Sequence, residues 1–331
     1  MNVHRAPQRR SARSRSRFRA VAVVAGAVAM IAASMMAGGQ ASARPLPVAY
    51  NFFSGIPNEL TDPGGSLPGS NDYSCKPTAA HPNPVVLVHG TGGSQQTNWG
   101  TYAPLLKNQG YCVFALTYGV IRGAPWPVSA IGGMGPMQDS ARQLATFVDR
   151  VLAATGARKV DIVGHSQGTV VPTYYAKKLG GAARIDKYVS LAPLWKGTSV
   201  AGSDVMLDVA KRLGIGPAQL PLCQACGQFS RNSDVMRAVW TGGSPYLPDI
   251  TYTNIATRYD EAVVPYTSGL VAGGRNVRNV VVQAGCPVDY TEHAGLAGSR
   301  RASDYVLNAL DPAHPRPVAC VRAAPLTGSA F

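Results

Sequence analysis

The sequence has few charged residues and very few acids. Charged residues make up 15% of the chain, with 17 Asp and Glu against 31 Lys and Arg, for a formal net charge of +14. Beyond residue 43 there is no run of Lys or Arg and no basic patch interleaved with aromatic residues. Nucleic acid is therefore not expected as a partner, and the scattered basic residues are typical of a solvated surface.

Zinc-type ligand spacing is also missing. Cys223-x-x-Cys226 has no second CxxC and no suitably spaced His pair beside it, so a metal site is not expected. An even number of cysteines in an exported chain indicates disulfides, and spacing alone leaves about 15 pairings open. The six cysteines are Cys75, Cys112, Cys223, Cys226, Cys286 and Cys320.

The first 43 residues have the pattern of an export signal. Residues 1–19 carry seven arginines and no acid, residues 20–37 are apolar, and Ala41-Ser42-Ala43 matches an Ala-x-Ala cleavage site. The alternative is a membrane anchor, since the 18 residues from 20 to 37 approach a spanning length. We interpret residues 1–43 as a signal peptide of a secreted protein, and Arg9-Arg10 leaves the general and twin-arginine routes open. Cleavage would lower the net charge from +14 to +7.

Apolar runs alternate with helical patterns along the rest of the chain. The strand-like runs are "PVVLVHG", "YCVFALTYG", "KVDIVG", "KYVSLAP", "DITYTNIATRYD" and "RNVVVQAG". Strands that are apolar on both faces and alternate with helices predict an α/β domain with a mostly parallel central sheet covered by helices on both faces. We assign this domain to residues 44–331, with residues 44–83 as an extended surface arm and residues 195–248 as an inserted cap.

The motif "GHSQG", residues 164–168, follows the run "KVDIV" and precedes a helical pattern. Gly-x-Ser-x-Gly alone is a weak signal, but the order strand, serine, helix is what a nucleophile elbow requires. Glycines two residues on either side of Ser166 would let the strand and the helix approach closely around a strained residue. We predict that Ser166 is a nucleophile; the alternative is a helix-capping serine.

A serine nucleophile needs a histidine base and an acid that orients it. In proteins whose serine lies in a nucleophile elbow, the chain order is serine, acid, histidine. Two histidines follow Ser166, and His293 lies just after the last strong strand, whereas His314 stands in a proline-rich loop. We therefore predict His293 as the base.

The acid should end the preceding strand, where "NIATRYDEAVVP" offers Asp260 and Glu261. Asp260 comes first and has D-x-x-V spacing to Val263, so we predict Asp260 as the acid and expect Glu261 to point the other way. Asp289 and Glu292 are the rivals near His293 in sequence, and the simpler interpretation of both is a solvated loop charge.

The oxyanion of an acyl-transfer intermediate needs N–H donors held in place. One is expected from Gln167, directly after the nucleophile, and one from Thr91 in the loop "HGTGG" after the first strand. The Thr91 hydroxyl is a candidate third donor. We interpret the neighbouring His89 and His165 as supporting residues.

Taken in order, these motifs resemble the α/β-hydrolase lipases that group small secreted actinobacterial lipases with fungal lipase B. The similarity covers most of residues 73–320 and includes "PVVLVHGTGG", "VDIVGHSQG", "LAPLWKGTSVAG", "YDEAVVP" and "EHAGL". The resemblance implies the α/β-hydrolase fold and ester hydrolysis, with the roles already predicted for Ser166, Asp260, His293, Thr91 and Gln167. It also implies the disulfides Cys75–Cys112 and Cys286–Cys320, which leaves Cys223 and Cys226 to each other.

We therefore expect a secreted serine carboxylester hydrolase that needs no metal or organic cofactor. Among such hydrolases, a triacylglycerol lipase is the preferred interpretation. Its partner would be a lipid or another ester at an oil–water interface, and no stable protein partner is implied. The same triad would also suit a short-chain esterase, a polyesterase or an acyltransferase. A non-catalytic surface-binding protein is a further alternative on this fold. The apolar side chains of the predicted cap would line an acyl site or pack the cap itself; they are Val205, Met206, Leu207, Leu213, Leu220 and Leu222.

Overall fold

The computed structural model describes residues 44–198 and 223–328, together with Met1. The predicted signal peptide, apart from Met1, lies outside the described residues. Residues 199–222 of the predicted cap, with all six of its named apolar side chains, also lie outside them. All helices and strands described below belong to one compact unit, Leu46–Phe331.

Within the described residues, six strands form one sheet in the order β2-β1-β3-β4-β5-β6, and all neighbouring strands in it are parallel. Each of the six predicted strand-like runs overlaps one of these strands. The predicted α/β architecture is therefore confirmed. The strands are β1 Val85–Val88, β2 Val113–Leu116, β3 Val160–His165, β4 Ile185–Leu191, β5 Thr251–Ala256 and β6 Val277–Val281.

Six α-helices accompany these strands in the described residues: α1 Ile56–Thr61, α2 Tyr102–Asn108, α3 Met137–Thr155, α4 Val170–Lys178, α5 Asp234–Val239 and α6 Arg300–Leu310. Two of them begin at a serine whose hydroxyl accepts a backbone N–H from the first turn, which satisfies one of the free donors at a helix start. These are Ser233 before α5 and Ser299 before α6. Helix α3 ends directly before Gly156, whose left-handed conformation is common just after a helix C-terminus.

Alternate residues of the central strands belong to two hydrophobic cores. Val86 and Val88 of β1 pack with residues of α3 and α4, and Val85 and Leu87 pack with residues of α2 and α6. Because side chains of a strand point to opposite faces in turn, this pattern places helices on both faces of the sheet. The edge strand β6 departs from the prediction that strands are buried on both faces, since Arg278 and Asn279 are exposed.

The N-terminal arm is not extended throughout, contrary to the prediction. Residues Phe52–Gly55 form a 3-10 helix that runs into α1. Pro57 lies in the first turn of α1, where its fixed φ suits a helix and its missing N–H costs no hydrogen bond. Gly55 packs so closely that an added Cβ would lie 2.0 Å from the backbone oxygen of Gln96. The arm is therefore held tightly against the loop that follows β1.

The described part of the predicted cap packs onto the main domain. Helix α5 contacts α4, and Val235, Met236 and Val239 of α5 belong to the same core as α4. The spacing of these three residues puts them on one helical face, which explains why α5 is buried on that side.

The structure joins Cys75 to Cys112, Cys223 to Cys226 and Cys286 to Cys320, the pairing implied by the resemblance. Of the helices in the part of the chain that the structure describes, none is both long and apolar enough to span a bilayer.

Candidate active site

Ser166 occupies a sharp turn between β3 and the helix that follows it. Its φ is +53°, a left-handed conformation that is strained for a residue with a side chain. The flanking glycines are required by close packing: an added Cβ on Gly168 would lie 1.9 Å from the Val88 oxygen, and one on Gly164 would lie 2.2 Å from the Gly168 oxygen. The predicted order of strand, serine and helix is present, and only glycine fits at the positions two residues before and two residues after Ser166.

Asp260 and His293 are paired, although 33 residues separate them. His293 Nδ1 donates to Asp260 Oδ1 over 2.8 Å. The same carboxylate oxygen accepts the backbone N–H of Val263 at 2.7 Å and of Ala262 at 3.1 Å. The Asp260 side chain is only 1% exposed, so it is held by three donors in a buried position. With Nδ1 protonated, His293 Nε2 is left as the atom that can accept a proton.

Ser166, His293 and Thr91 line one cavity of about 420 Å³. Ser166 and His293 are 8% and 9% exposed, so both lie below the surface but are reached through this cavity. The structure thus brings the predicted nucleophile, the predicted base and one predicted oxyanion residue to the same space at the carboxyl ends of the strands.

The loop after β1 is tied to the turn that contains Ser166. The hydroxyl of Thr91 donates to Gln167 Oε1 over 2.8 Å, so it is engaged with Gln167 rather than free as a third donor. The loop is braced by Gly132, which accepts from the Gly92 N–H and donates to the Gly93 oxygen, each over 2.8 Å. The backbone N–H groups of Thr91 and Gln167 therefore belong to two segments that a direct hydrogen bond holds together.

His89 and His165 are buried in positions that suit support rather than proton transfer. His89 Nδ1 donates to the Gly90 oxygen at 2.7 Å, and its Nε2 accepts the Tyr118 N–H at 3.2 Å, so a neutral ring satisfies both contacts. Burial lowers the pKa of His89 to about 4. Burial, with a smaller effect of the neighbouring His293, lowers the pKa of His165 to about 3. His165 Nε2 contacts the backbone oxygen of His293 over 3.0 Å and so braces the segment that carries the predicted base.

Three expectations about acidic residues were wrong. Glu261 does not point away from the site, since its Oε2 accepts the backbone N–H of His293 at 3.2 Å. Asp289 and Glu292 are not solvated loop charges, because they are 0% and 8% exposed. Each instead accepts a nearby backbone N–H, Asp289 from Thr291 and Glu292 from Gly295, which anchors the turn around His293.

His314, the other histidine after Ser166, is exposed. Its side chain is 82% accessible and its Nδ1 lies 3.0 Å from an Asp311 carboxylate oxygen. In the part of the chain that the structure describes, no group of three or more His, Cys, Asp or Glu residues is arranged to hold a metal ion.

The sequence did not predict the apolar wall of the cavity. Phe52, Phe53 and Ile56 of the N-terminal arm line the cavity together with Ala130 and Ile131 from the loop after β2. The available signal was the apolar cluster "NFFSGI" within the arm. The site as a whole therefore combines a strained serine, an acid-paired histidine and an apolar binding space, an arrangement suited to nucleophilic acyl transfer.

The profile of one protein family, Lipase (class 2), matches residues 82–299, which include all the predicted triad and oxyanion residues. The chain belongs to the class 2 lipases. This match covers most of the domain and begins just before β1, so residues 44–81 of the N-terminal arm lie outside it.

Individual relatives match over a shorter stretch. A triacylglycerol lipase of Pseudarthrobacter phenanthrenivorans is 34% identical over 103 residues, which is 30% of this chain and 29% of that protein. A pyrrolizixenacetamide deacetylase of Xenorhabdus hominickii is 36% identical over 92 residues, 26% of this chain and 29% of that protein. The chain thus matches less than a third of the length of these curated relatives.

Among solved structures, lipase B of Aspergillus fumigatus superposes with a TM-score of 0.56 at 20% identity, over 77% of this chain and 56% of that one. At this identity the likeness is informative about the fold alone. It confirms the expected α/β-hydrolase fold.

Proposed function

We propose that the protein is a serine carboxylester hydrolase that cleaves triacylglycerols through an acyl-enzyme on Ser166. The observation that carries this proposal is the buried Asp260–His293 pair, with its 2.8 Å hydrogen bond, beside a strained serine in one apolar cavity. Membership of the class 2 lipases and the partial likeness to triacylglycerol lipases support the substrate class.

In the first half of the reaction, Ser166 Oγ attacks the ester carbonyl carbon while His293 Nε2 takes the hydroxyl proton. The negative charge that develops on the carbonyl oxygen is stabilised by the backbone N–H groups of Thr91 and Gln167. When the tetrahedral intermediate collapses, the bond to the alcohol oxygen breaks and His293 gives its proton to the departing alcohol. Asp260 keeps the His293 Nδ1 protonated and stabilises the positive ring.

In the second half, water attacks the acyl-enzyme carbonyl and passes a proton to His293. Collapse of the second intermediate releases the fatty acid, and the proton returns to Ser166 Oγ. Every proton is carried by His293, so no metal or organic cofactor takes part in this scheme.

Export is part of the proposal. The pattern of residues 1–43 is that of a cleaved signal, and three disulfides are typical of proteins that work in oxidising surroundings. The proposed partner is an ester lipid. The alternative of a non-catalytic binding protein is disfavoured because His293, hydrogen-bonded to Asp260, lines the same cavity as Ser166.

The test is hydrolysis of p-nitrophenyl butyrate by the mature chain and by Ser166→Ala. A matched control is Ser190→Ala, which removes a buried hydroxyl on the neighbouring strand β4 that has no hydrogen-bond partner among the described residues. We expect Ser166→Ala to lose at least about 10³-fold in kcat, and Ser190→Ala to remain within about twofold of the parent. Equal activity of parent and Ser166→Ala would refute the proposed nucleophile.

Triacylglycerol hydrolysis is tested separately from general esterase activity. The tributyrin concentration is raised from below to above its solubility limit. The hydrolysis rate of a lipase should increase once droplets form. A rate that saturates below that limit, with no further rise, would leave a soluble-ester esterase as the function.

A further inference from the structure

A second cavity lies beside the candidate active site, and we call it the side cavity. Its volume is about 580 Å³, within the range of small-molecule sites. The arm contributes Glu59 to its lining, helix α3 contributes Phe147, and the loop after β2 contributes Val120. Ala130 lines both the side cavity and the cavity of Ser166, so the two spaces are adjacent. The predicted triad residues do not line the side cavity, and the proposed ester hydrolysis leaves it without a role.

Polar groups in the lining of the side cavity can both accept and donate hydrogen bonds. Glu59 is 5% exposed, its Oε1 accepts the Gly64 N–H at 3.0 Å, and its Oε2 accepts the Ser94 hydroxyl at 3.1 Å. Because a carboxylate oxygen has two lone pairs, each of these oxygens can accept one more hydrogen bond. Thr117 Oγ1 accepts the Gln95 N–H at 2.9 Å, which leaves the hydroxyl hydrogen of Thr117 to donate.

Aromatic rings in the same lining supply apolar contact. The Arg150 guanidinium carbon lies 3.9 Å from the centre of the Tyr73 ring, so this ring already has a partner. Phe147 is partly exposed and packs against the core below α3. A ring beside acceptors and donors suits a sugar or another polyol, whose C–H groups pack on the ring while its hydroxyl groups form hydrogen bonds.

The charges of the lining favour a neutral ligand. Among the described residues that line the side cavity, one is acidic, Glu59, and one is basic, Arg150. A cation would be repelled by Arg150 and an anion by Glu59. A hydroxyl group, in contrast, can donate to the carboxylate or accept from the guanidinium, and both hydrogen bonds are strengthened by the charge.

The wall of the side cavity is preformed. Asn71, at φ +59°, accepts the Ala115 N–H at 2.9 Å and donates to the Ala115 oxygen and to Gln95 Oε1, each over 3.0 Å. Gln95 in turn donates to the Gly65 oxygen at 2.7 Å and to the Gly64 oxygen at 3.0 Å. Polar groups that are already held in place lose little conformational freedom when a ligand binds.

We propose that the side cavity binds a neutral polyhydroxyl compound of the size of glycerol or a hexose. The observation that carries this inference is the buried, hydrogen-bonded Glu59 in one cavity with the Phe147 ring and the Arg150 guanidinium. The inference goes beyond the proposed hydrolase function and does not depend on it. Two sources of the ligand are distinguished below, a free polyol and the polyol part of an ester.

The test measures the binding of glucose and glycerol to the mature chain by saturation-transfer NMR. Phe147→Leu removes the ring but keeps an apolar side chain, and Arg150→Met removes the guanidinium but keeps an unbranched stem. Arg142→Met is the matched control, because Arg142 is an exposed arginine of α3 that does not line the side cavity. We expect a dissociation constant of about 1–10 mM for glucose. Each of the two variants should raise it about fivefold, and the control should leave it within about twofold.

Three results of this titration would overturn the inference. The first is a parent chain that binds neither glucose nor glycerol. The second is equal binding by the parent, Phe147→Leu and Arg150→Met. The third is tighter binding of glycine betaine than of glucose, which would assign a charged ligand to the side cavity.

Hydrolysis of p-nitrophenyl butyrate with glucose present shows which cavity the sugar occupies. Glucose in the side cavity should leave the KM of the parent within about twofold. Competitive inhibition would place glucose in the cavity of Ser166 and overturn the inference. A parent chain without any hydrolysis would refute the proposed hydrolase function, whereas the NMR titration would still decide whether the side cavity binds a polyol.

A pair of esters with the same acyl chain distinguishes the two sources of the ligand. Phe147→Leu is compared with the parent on octanoyl glucose and on p-nitrophenyl octanoate. A KM raised at least about fivefold for octanoyl glucose alone would support the side cavity as the site for the polyol part of an ester. Unchanged KM values for both esters, together with weakened binding of glucose, would support a site for a free polyol.

Discussion

Substitution of Asp260 offers the sharpest test of how the candidate site is organised. Three N–H groups converge on a single carboxylate oxygen, Oδ1: those of His293 at 2.8 Å, Val263 at 2.7 Å and Ala262 at 3.1 Å. In Asp260→Asn the amide oxygen should keep this position, because the amide NH₂ group would otherwise face two backbone N–H donors. The variant should therefore keep the His293 tautomer and lose only the negative charge.

The charge sets the expected size of the effect. Opposite charges about 4 Å apart attract by about 4 kcal/mol at an effective dielectric of about 20, which corresponds to a factor of about 10³ in rate. The neutral amide oxygen of Asp260→Asn still accepts the hydrogen bond and so keeps part of this stabilisation. We therefore expect Asp260→Asn to lower kcat by a factor of about 10²–10³. Asp260→Ala leaves His293 without its fixed tautomer and should lower kcat by about 10⁴.

The assay is steady-state hydrolysis of p-nitrophenyl butyrate, with thermal unfolding to confirm that each variant is folded. Glu261→Gln is the matched control, since Glu261 contacts the His293 backbone but not its ring, and it should stay within about threefold of the parent. Equal losses for Asp260→Asn and Asp260→Ala would refute the argument that backbone donors hold the oxygen in place. A larger loss for Glu261→Gln than for Asp260→Asn would refute the assignment of the acid.

Three further predictions follow from packing and burial. Gly168→Ala places a Cβ 1.9 Å from the Val88 oxygen, so it should lower the free energy of unfolding by about 1–3 kcal/mol and remove most of the activity. Gly135→Ala is the control, because its Cβ would lie 3.6 Å from the nearest atom, and it should change neither stability nor activity. Equal melting temperatures of the two variants would contradict this prediction. Burial raises the pKa of Asp161 from 3.8 to about 6, so the folded chain holds a proton that the unfolded chain releases, and the free energy of unfolding should fall by about 2–3 kcal/mol as the pH rises through this interval. Urea unfolding at pH 4 and pH 7 measures this fall in the free energy of unfolding. Asp161→Asn, which has no carboxyl group to titrate at this position, should not show it. Ile56→Trp narrows the cavity and should lower the ratio of p-nitrophenyl palmitate to p-nitrophenyl butyrate hydrolysis at least about fivefold, and an unchanged ratio would mean that the arm does not contact the acyl chain.

The sheet and the position of Ser166 were predictable because they depend on local patterns. Short apolar runs gave the strands, and the glycines beside Ser166 are required by contacts within the turn and with the adjacent β1. The pairing of Asp260 with His293 was predictable from chain order, since each follows a strand that ends at the same edge of a parallel sheet, and their catalytic roles stay predictions.

Contacts between distant segments were not predictable from the sequence. The apolar wall depends on the arm meeting the segment after His293, where Gly298 lies against Asn51. The brace from His165 to the His293 backbone spans 128 residues. Likewise, Asp289 and Glu292 look like solvated loop charges until the fold buries them and supplies backbone donors.

The most direct test of the central claim is to react the mature protein with diethyl p-nitrophenyl phosphate and to map the labelled peptide by mass spectrometry. The account predicts one equivalent of p-nitrophenolate released per chain and one diethylphosphoryl group, on Ser166, with labelling slowed at least about 10²-fold by His293→Gln. A label on another residue, or labelling at Ser166 that is indifferent to His293, would contradict it.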